Sequence, residues 1–304
     1  MSKKLVSLFL ALVLALACVP VLAEGGLTVT DMTGREITLD GPVTKIVALT
    51  ASDVEILYAL GAGDLLVGRG QYCDYPAEAL EKPSVQSGYE TNLEEILALE
   101  PNVVIMATMA QTTEQVEALE KAGVKVVVSD AQNLEGVYTA ITLIGQLVGK
   151  NDEAAALVQQ MQDTFAEVKA KAVDTGKSVY FEVSALEWGL YSAGKGTFMD
   201  EIAGICGLTN IFADQDLWPA VSEEQVLEKN PDYIVTTSMY GGTNEAAVQE
   251  IISRAGWGEV TAVKNGTVFG MNGDEMTRPG PRLMDAVKAL YDFICGAEEE
   301  APAA

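Results

Sequence analysis

The chain has 304 residues, enough for two domains of ordinary size, and 49% hydrophobic residues with 28 Gly and 10 Pro describe a cored globular protein, neither disordered nor collagen-like. A formal net charge of −25 argues against nucleic acid and anionic membrane surfaces as partners. Histidine is absent, which excludes Ser-His-Asp and Cys-His catalysis, His-ligated zinc and His-ligated haem.

Lys3 and Lys4 precede an apolar run from Leu5 to Ala17 that is too short and wrongly flanked to span a membrane. Residues 1–23 therefore read as a signal peptide, and the protein is expected outside the cytoplasm. Two processing routes stay open. Val21-Leu22-Ala23 suits cleavage before Glu24, whereas Leu14-Ala15-Leu16-Ala17-Cys18 resembles a lipobox that would anchor the chain through a lipid on Cys18. Loss of the leader removes both lysines and takes the net charge to −27. Cys73, Cys206 and Cys295 then remain, too few for a closed disulfide set and wrongly spaced for zinc, so they are expected as buried or free thiols.

The segments Leu27–Asp31 and Arg35–Leu39 alternate apolar and polar residues around Met32-Thr33-Gly34, a hairpin pattern. Lys45–Thr50 reads as a buried strand, followed by a helix capped by Ser52 and ended by Gly61. A short helix over Asn92–Leu99 leads through Pro101 to a strand at Val103–Met106. A helix over Thr113–Ala122 stops at Gly123, before a strand at Val124–Val128. Between Asp152 and Ala172, the residues Leu157, Met161, Phe165, Val168 and Ala172 fall on one helical stripe. Beyond it come a strand at Ser178–Val183, a helix at Phe198–Cys206, a strand at Tyr233–Thr236 and a helix at Glu245–Ala255. The last helix, opened by Pro279-Gly-Pro281, runs to Cys295. Strands alternating with helices imply parallel α/β layers.

The halves repeat. Asn92–Ile105 matches Ser222–Val235, with Pro101 on Pro231 and Glu94 on Glu224, both at an offset of 130. Between the helix-ending glycines Gly61 and Gly207 the offset is 146, so the second half carries extra residues, among them Trp188 and Tyr191. The expected organisation is a signal peptide (1–23), an N-terminal α/β lobe (24–150), a linking helix (151–173), a C-terminal α/β lobe (174–296) and an acidic tail without fixed structure (297–304). Each lobe is expected to be Rossmann-like with a mainly parallel sheet. The ligand cleft lies between the lobes, and a rod of about 32 Å joins them and permits only modest opening.

Four strings in order, Cys73-Asp-Tyr-Pro76, Asn92-Leu-Glu-Glu-Ile96, Trp218–Val226 and Arg278-Pro-Gly-Pro-Arg282, resemble the helix-linked class of ABC substrate-binding proteins that serve cobalamin, iron–siderophore and haem importers. The likeness covers Thr28 to Gly296. It implies a monomeric receptor, not an enzyme, without a resident cofactor or a directly bound metal. Such a receptor delivers a cobalt- or iron-containing chelate to an ABC permease dimer with its ATPase subunits. It also implies that Glu94 and Glu224, one per lobe, engage the permease. Their place in the first turn of capping-box helices, Asn92-x-x-Glu95 and Ser222-x-x-Gln225, points them outward, although acidic residues there also complement the helix dipole.

Ligands of open α/β sheets sit beyond the carboxyl ends of the strands. The loops there carry Thr50-Ala51, Gln71-Tyr72-Cys73 and Met109-Ala110-Gln111, with Tyr89 nearby, and in the second lobe Trp188, Tyr191, Trp218, Tyr240-Gly241-Gly242 and Glu275 to Arg278. Aromatic platforms suit a flat ligand, and Tyr72 and Trp218 match positions that contact the corrin in cobalamin receptors. Ala107 departs from that pattern, standing where such a receptor presents a large aromatic. Arg278 is expected near the cleft, able to pair with a ligand phosphate, carboxylate or catecholate, whereas Arg282 reads as structural and Trp257 as core. Corrinoid or cobalamin leads iron–siderophore, with haem third; a haem iron would need a tyrosine such as Tyr72, Tyr89, Tyr191 or Tyr240. The competing enzyme reading, a secreted two-domain α/β transferase, lacks both a nucleophile–base pair and a phosphate-cradling glycine loop.

Overall fold

The structure, a computed structural model, describes residues 26–88, 90–108, 112–237 and 243–300. The signal-peptide reading, Tyr89, Met109-Ala110-Gln111 and Tyr240-Gly241-Gly242 lie outside these residues.

The hairpin β1 (Leu27–Thr30) and β2 (Glu36–Leu39) pairs antiparallel. The first lobe follows with β3 (Ile46–Ala48), α1 (Ala51–Ala59), β4 (Leu66–Gly70), β5 (Ser84–Val85), α2 (Leu93–Ala98), β6 (Val103–Met106), α3 (Thr113–Lys121), β7 (Lys125–Val128) and α4 (Leu134–Val148). Its strands form one parallel sheet in the order β5-β4-β3-β6-β7. After α5 (Asn151–Lys171), the second lobe contains β8 (Ser178–Glu182), α6 (Phe198–Ile205), β9 (Thr209–Asn210), α7 (Glu223–Lys229), β10 (Tyr233–Thr237), α8 (Asn244–Ile252), α9 (Thr261–Lys264), β11 (Val268–Met271), α10 (Gly273–Thr277) and α11 (Leu283–Glu300). Its parallel sheet runs β11-β10-β8-β9. Every residue of β3, β6 and β10 is buried, as parallel strands covered on both faces require.

The duplication is structural as well as sequential. Leu93 and Glu223 open α2 and α7, and Val103 and Tyr233 open β6 and β10, each pair 130 residues apart. The extra residues of the second lobe form a 3₁₀ turn at Leu186–Trp188 and a bridge between Tyr191 and Ala220.

Three local expectations change. Helix α1 starts at Ala51 with Thr50 as its cap, so Ser52 sits inside the helix; the extended backbone of Thr50 marks the boundary. The Ser222 box is complete, but the Asn92 box is half-formed. Asn92 accepts from the Glu95 amide, whereas the Glu95 carboxylate turns to the Gln86 amide at 3.0 Å. Finally, α11 continues to Glu300 rather than fading into a tail at 297, consistent with the helix-forming Ala297-Glu298-Glu299-Glu300.

Helix α4 has no counterpart among the sequence-predicted elements. It packs against α5 in a tight antiparallel pair. Gly149 turns the chain between them at φ 70°, and Gly145 permits the approach, since a Cβ there would come within 2.5 Å of the Ala154 side chain. Helix α5 has 21 residues, and its buried stripe is Ala154, Met161, Phe165 and Val168. It packs on α4 in the first lobe and on α6 and α11 in the second, so one continuous apolar core runs through both lobes and the rod. Met161 is fully buried in that core. Met161→Ala should cost about 2–5 kcal/mol in urea denaturation, whereas Gln159→Ala on the exposed face should stay within about 0.5 kcal/mol.

Candidate functional site

In the first sheet β3 and β6 are neighbours whose onward connections, to β4 and to β7, run in opposite directions and open a crevice at their carboxyl ends. The second sheet does the same between β8 and β10. A cavity of about 180 Å³ lies between the lobes. Thr50–Ser52, Ala107 and Ser129–Gln132 line it from strand ends of the first lobe, and Phe198, Trp218 and Thr277–Pro279 from the second.

A polar chain crosses this cavity. The Trp218 indole N–H donates to Gln132 Oε1 at 2.9 Å, and Gln132 Nε2 donates to Asp130 Oδ1 at 3.3 Å. The Thr108 hydroxyl completes it by donating to Asp130 Oδ2. Phe198 meets Trp218 edge-on at 5.6 Å, which fixes the indole plane. Behind the wall sits Asp53, fully buried in the first turn of α1. Its Oδ2 accepts from the Thr50 hydroxyl, and among the described residues no donor reaches its Oδ1 within hydrogen-bond distance. Burial pushes its pKa up to about 6, against the opposing hydroxyls of Thr50 and Ser129, with the Asp130 charge adding to the rise.

At one end of the cavity the lobes are joined by charge. Glu55 of α1, buried, accepts from Arg282 at 2.7 and 2.9 Å and from Arg278 at 3.1 Å. Arg278 also holds Asp74 and Asp274, each at 2.8 Å, and donates to the Tyr72 carbonyl at 3.3 Å. Burial works against the Arg278 cation, but Asp74, Asp274 and Glu55 together keep its pKa above the ordinary arginine value. Arg282 lies over the Tyr75 ring at 4.1 Å. Arg282 is thus structural as expected, and Arg278 lines the cavity with its guanidinium already committed to three carboxylates.

Two larger recesses lie at equivalent places of the lobes, the first of them sharing Ala107 with the central cavity. One, about 560 Å³, lies where β6 leads to α3 and is lined by Arg35, Ala107, Thr108 and Glu114 among others. The other, about 530 Å³, lies where β10 leads to α8 and is lined by Glu182, Leu186, Glu187 and Glu250 among others. In the second, Arg254 holds Glu182 at 2.7 and 2.8 Å and also pairs with Glu250. Among the described residues no group of three or more His, Cys, Asp or Glu side chains is arranged to hold a metal ion, and no helix is long and apolar enough to cross a membrane.

Glu94 and Glu224 are both exposed, in the first turns of α2 and α7, and neither makes an ion pair among the described residues. The Glu224 carboxyl is held below its ordinary range by its own amide and the Ser222 hydroxyl.

A profile of the periplasmic binding proteins matches residues 46–275. The chain belongs to this family. An uncharacterized ABC transporter substrate-binding lipoprotein of Bacillus subtilis is 35% identical over 88% of this chain and 85% of its own length. The solved periplasmic vitamin B12-binding protein of Vibrio cholerae shares 28% identity and a TM-score of 0.72 over 85% of this chain and 99% of that one. A possible iron-binding, periplasmic solute-binding protein from Staphylococcus epidermidis gives 30% and 0.71 over 84% and 99%.

In this periplasmic binding protein the sequence-predicted residues separate into groups. Trp218 and Arg278 line the central cavity. Tyr72, 66% exposed, joins them through its carbonyl contact with Arg278. Trp188 and Tyr191 are exposed on the inserted segment of the second lobe, beside the recess lined by Leu186 and Glu187. Trp257 is fully buried, as expected of core. Sequence reasoning missed Ser129–Gln132 and Phe198, whereas Thr277, within the expected loop Glu275 to Arg278, lines the cavity. The strand-end rule reaches the first group, because Ser129 follows directly on β7; Phe198 carries no local signal.

Asp53 yields a pH prediction. Its pKa of about 6 exceeds the ordinary 3.8, so the native state keeps a proton that the unfolded chain has lost, and its contribution to stability falls as pH rises through that window. In urea denaturation, the stability of Asp53→Asn relative to the parent should therefore shift in the variant's favour by up to about 3 kcal/mol between pH 4 and pH 7.

Proposed function

We propose that this periplasmic binding protein is the capture component of an ABC importer for a bulky metal chelate, corrinoid ahead of iron–siderophore, which it hands to a permease dimer driven by ATPase subunits. The observation that carries the reading is the cavity between the two strand-end rims, lined by Trp218 and Phe198, which the first-lobe recess adjoins at Ala107. The name of the Vibrio cholerae relative and the aromatic positions Tyr72 and Trp218 support a corrinoid. Ala107 is small where a large side chain would narrow the space, so the cavity and the first-lobe recess meet at it.

Glu94 and Glu224 serve as the docking pair. Equivalent positions on duplicated lobes give two separated charges, and two points fix an orientation where one cannot. The chain acts outside the cytoplasm, either released after Ala23 or lipid-anchored through Cys18, and it has no catalytic role in this reading.

Titration of the mature chain with cobalamin and ferric siderophores, followed by tryptophan fluorescence, should show saturation by one chelate at sub-micromolar concentration. Trp218→Ala should weaken that binding about tenfold or more, in line with roughly 1.4 kcal/mol for a lost aromatic contact. The double variant Glu94→Ala, Glu224→Ala should bind as the parent does and yet support no uptake in cells carrying the permease. Normal uptake by that variant would remove the docking assignment.

A further inference from the structure

The charges that line the cleft are distributed unevenly. The central cavity has two charged lining residues, Asp130 and Arg278. Arg278 pairs with Asp74 and Asp274 and shares Glu55 with Arg282, and only 14% of its side chain is exposed. Asp130 makes no ion pair among the described residues; its carboxylate accepts from the Thr108 hydroxyl and the Gln132 amide. The second-lobe recess is lined by Glu182, Glu187 and Glu250 without a lysine or arginine in its wall. Arg254 behind that wall compensates Glu182 and Glu250, whereas Glu187 makes no ion pair among the described residues. In the first-lobe recess Arg35, the one cation among its described lining residues, is taken by Asp31 and Glu120, and Glu114 lines the same recess.

The uncharged polar side chains that line the cavity are the hydroxyls of Thr50, Ser52, Ser129 and Thr277, the Gln132 amide and the Trp218 indole.

Resting on the chelate-receptor reading, we infer that the cleft is built for a chelate without net negative charge, neutral or cationic and edged with amides or hydroxyls, and that it discriminates against polyanionic chelates. The physical reason is that an anionic ligand needs a desolvated donor of opposite charge to offset its lost hydration. Arg278 is the one guanidinium at the centre, and a ligand carboxylate would have to displace Asp74 or Asp274 to reach it. A ligand anion brought within about 6 Å of Asp130 loses on the order of tenfold or more in affinity at intermediate dielectric. The net charge of the chain adds a longer-range repulsion that salt screens.

The experiment is calorimetric titration of the mature chain at about 0.15 M salt with three probes: cobalamin, a cationic ferric trihydroxamate and haem, whose two carboxylates make it anionic. One of the first two should bind at least a hundredfold more tightly than haem. Asp130→Asn should narrow that ratio by about tenfold, and Asp130→Ser, read in the same way, covers a folding failure of the first variant. Haem binding as tightly as both other probes, or a ratio unmoved by the substitutions, overturns the inference and leaves the receptor reading standing. Absence of binding by all three removes the receptor reading and this inference with it.

Discussion

Glu55 is a carboxylate of the first lobe, buried, and held by two guanidiniums of the second. Arg282 grips it with two hydrogen bonds and Arg278 adds a third, while Arg282 covers the Tyr75 ring and Arg278 reaches Asp74. A buried ion pair of this kind adds little net stability over an apolar replacement, but losing one partner strands a charge at a cost of about 3–5 kcal/mol. Its effect is therefore geometric. The lobes cannot separate at this point without exposing or orphaning Glu55, so the relative position of their rims is set at one end of the cavity.

The rod α5 sets it at the back. Because α5 belongs to the same apolar core as both sheets, the two halves share a packed interior instead of a flexible tether. Between these two constraints the strand ends face each other and leave the central cavity, bridged by the chain from Trp218 through Gln132 and Asp130 to Thr108. That chain joins the lobes by hydrogen bonds among exchangeable side chains. Charge holds the lobes at the end, apolar packing holds them at the back, and breakable polar contacts span the middle, where a ligand would enter.

The role of Arg278 follows from the same arrangement. Read as a residue beside the cleft, it is an anion receptor in waiting. In the folded chain it is a structural cation, and the ligand-facing surface that remains is acidic or neutral. Glu55 is the reason, and nothing local to Arg278-Pro-Gly-Pro-Arg282 announces it, since the two sites lie more than 220 residues apart in sequence.

Features that depend on neighbours within a turn or a strand were determined by the amino-acid order alone. Alternation around Met32-Thr33-Gly34 made the hairpin, apolar runs made β3, β6 and β10, and the stripe Met161, Phe165 and Val168 made the rod. Spacing of Pro101 and Pro231 disclosed two related lobes, and with them the paired positions Glu94 and Glu224. Helix α4 escaped because its apolar residues surround glycines that read as breaks, and Gly145 is tolerated only because Ala154 of the next helix packs against it. What tertiary structure alone decided were the pairings across the lobes: Phe198 against Trp218, Trp218 to Gln132, Glu55 between Arg278 and Arg282, and the burial that pushes up the pKa of Asp53. Each joins residues far apart in the chain or depends on solvent exclusion, and neither distance in space nor dielectric surroundings is written in local sequence periodicity.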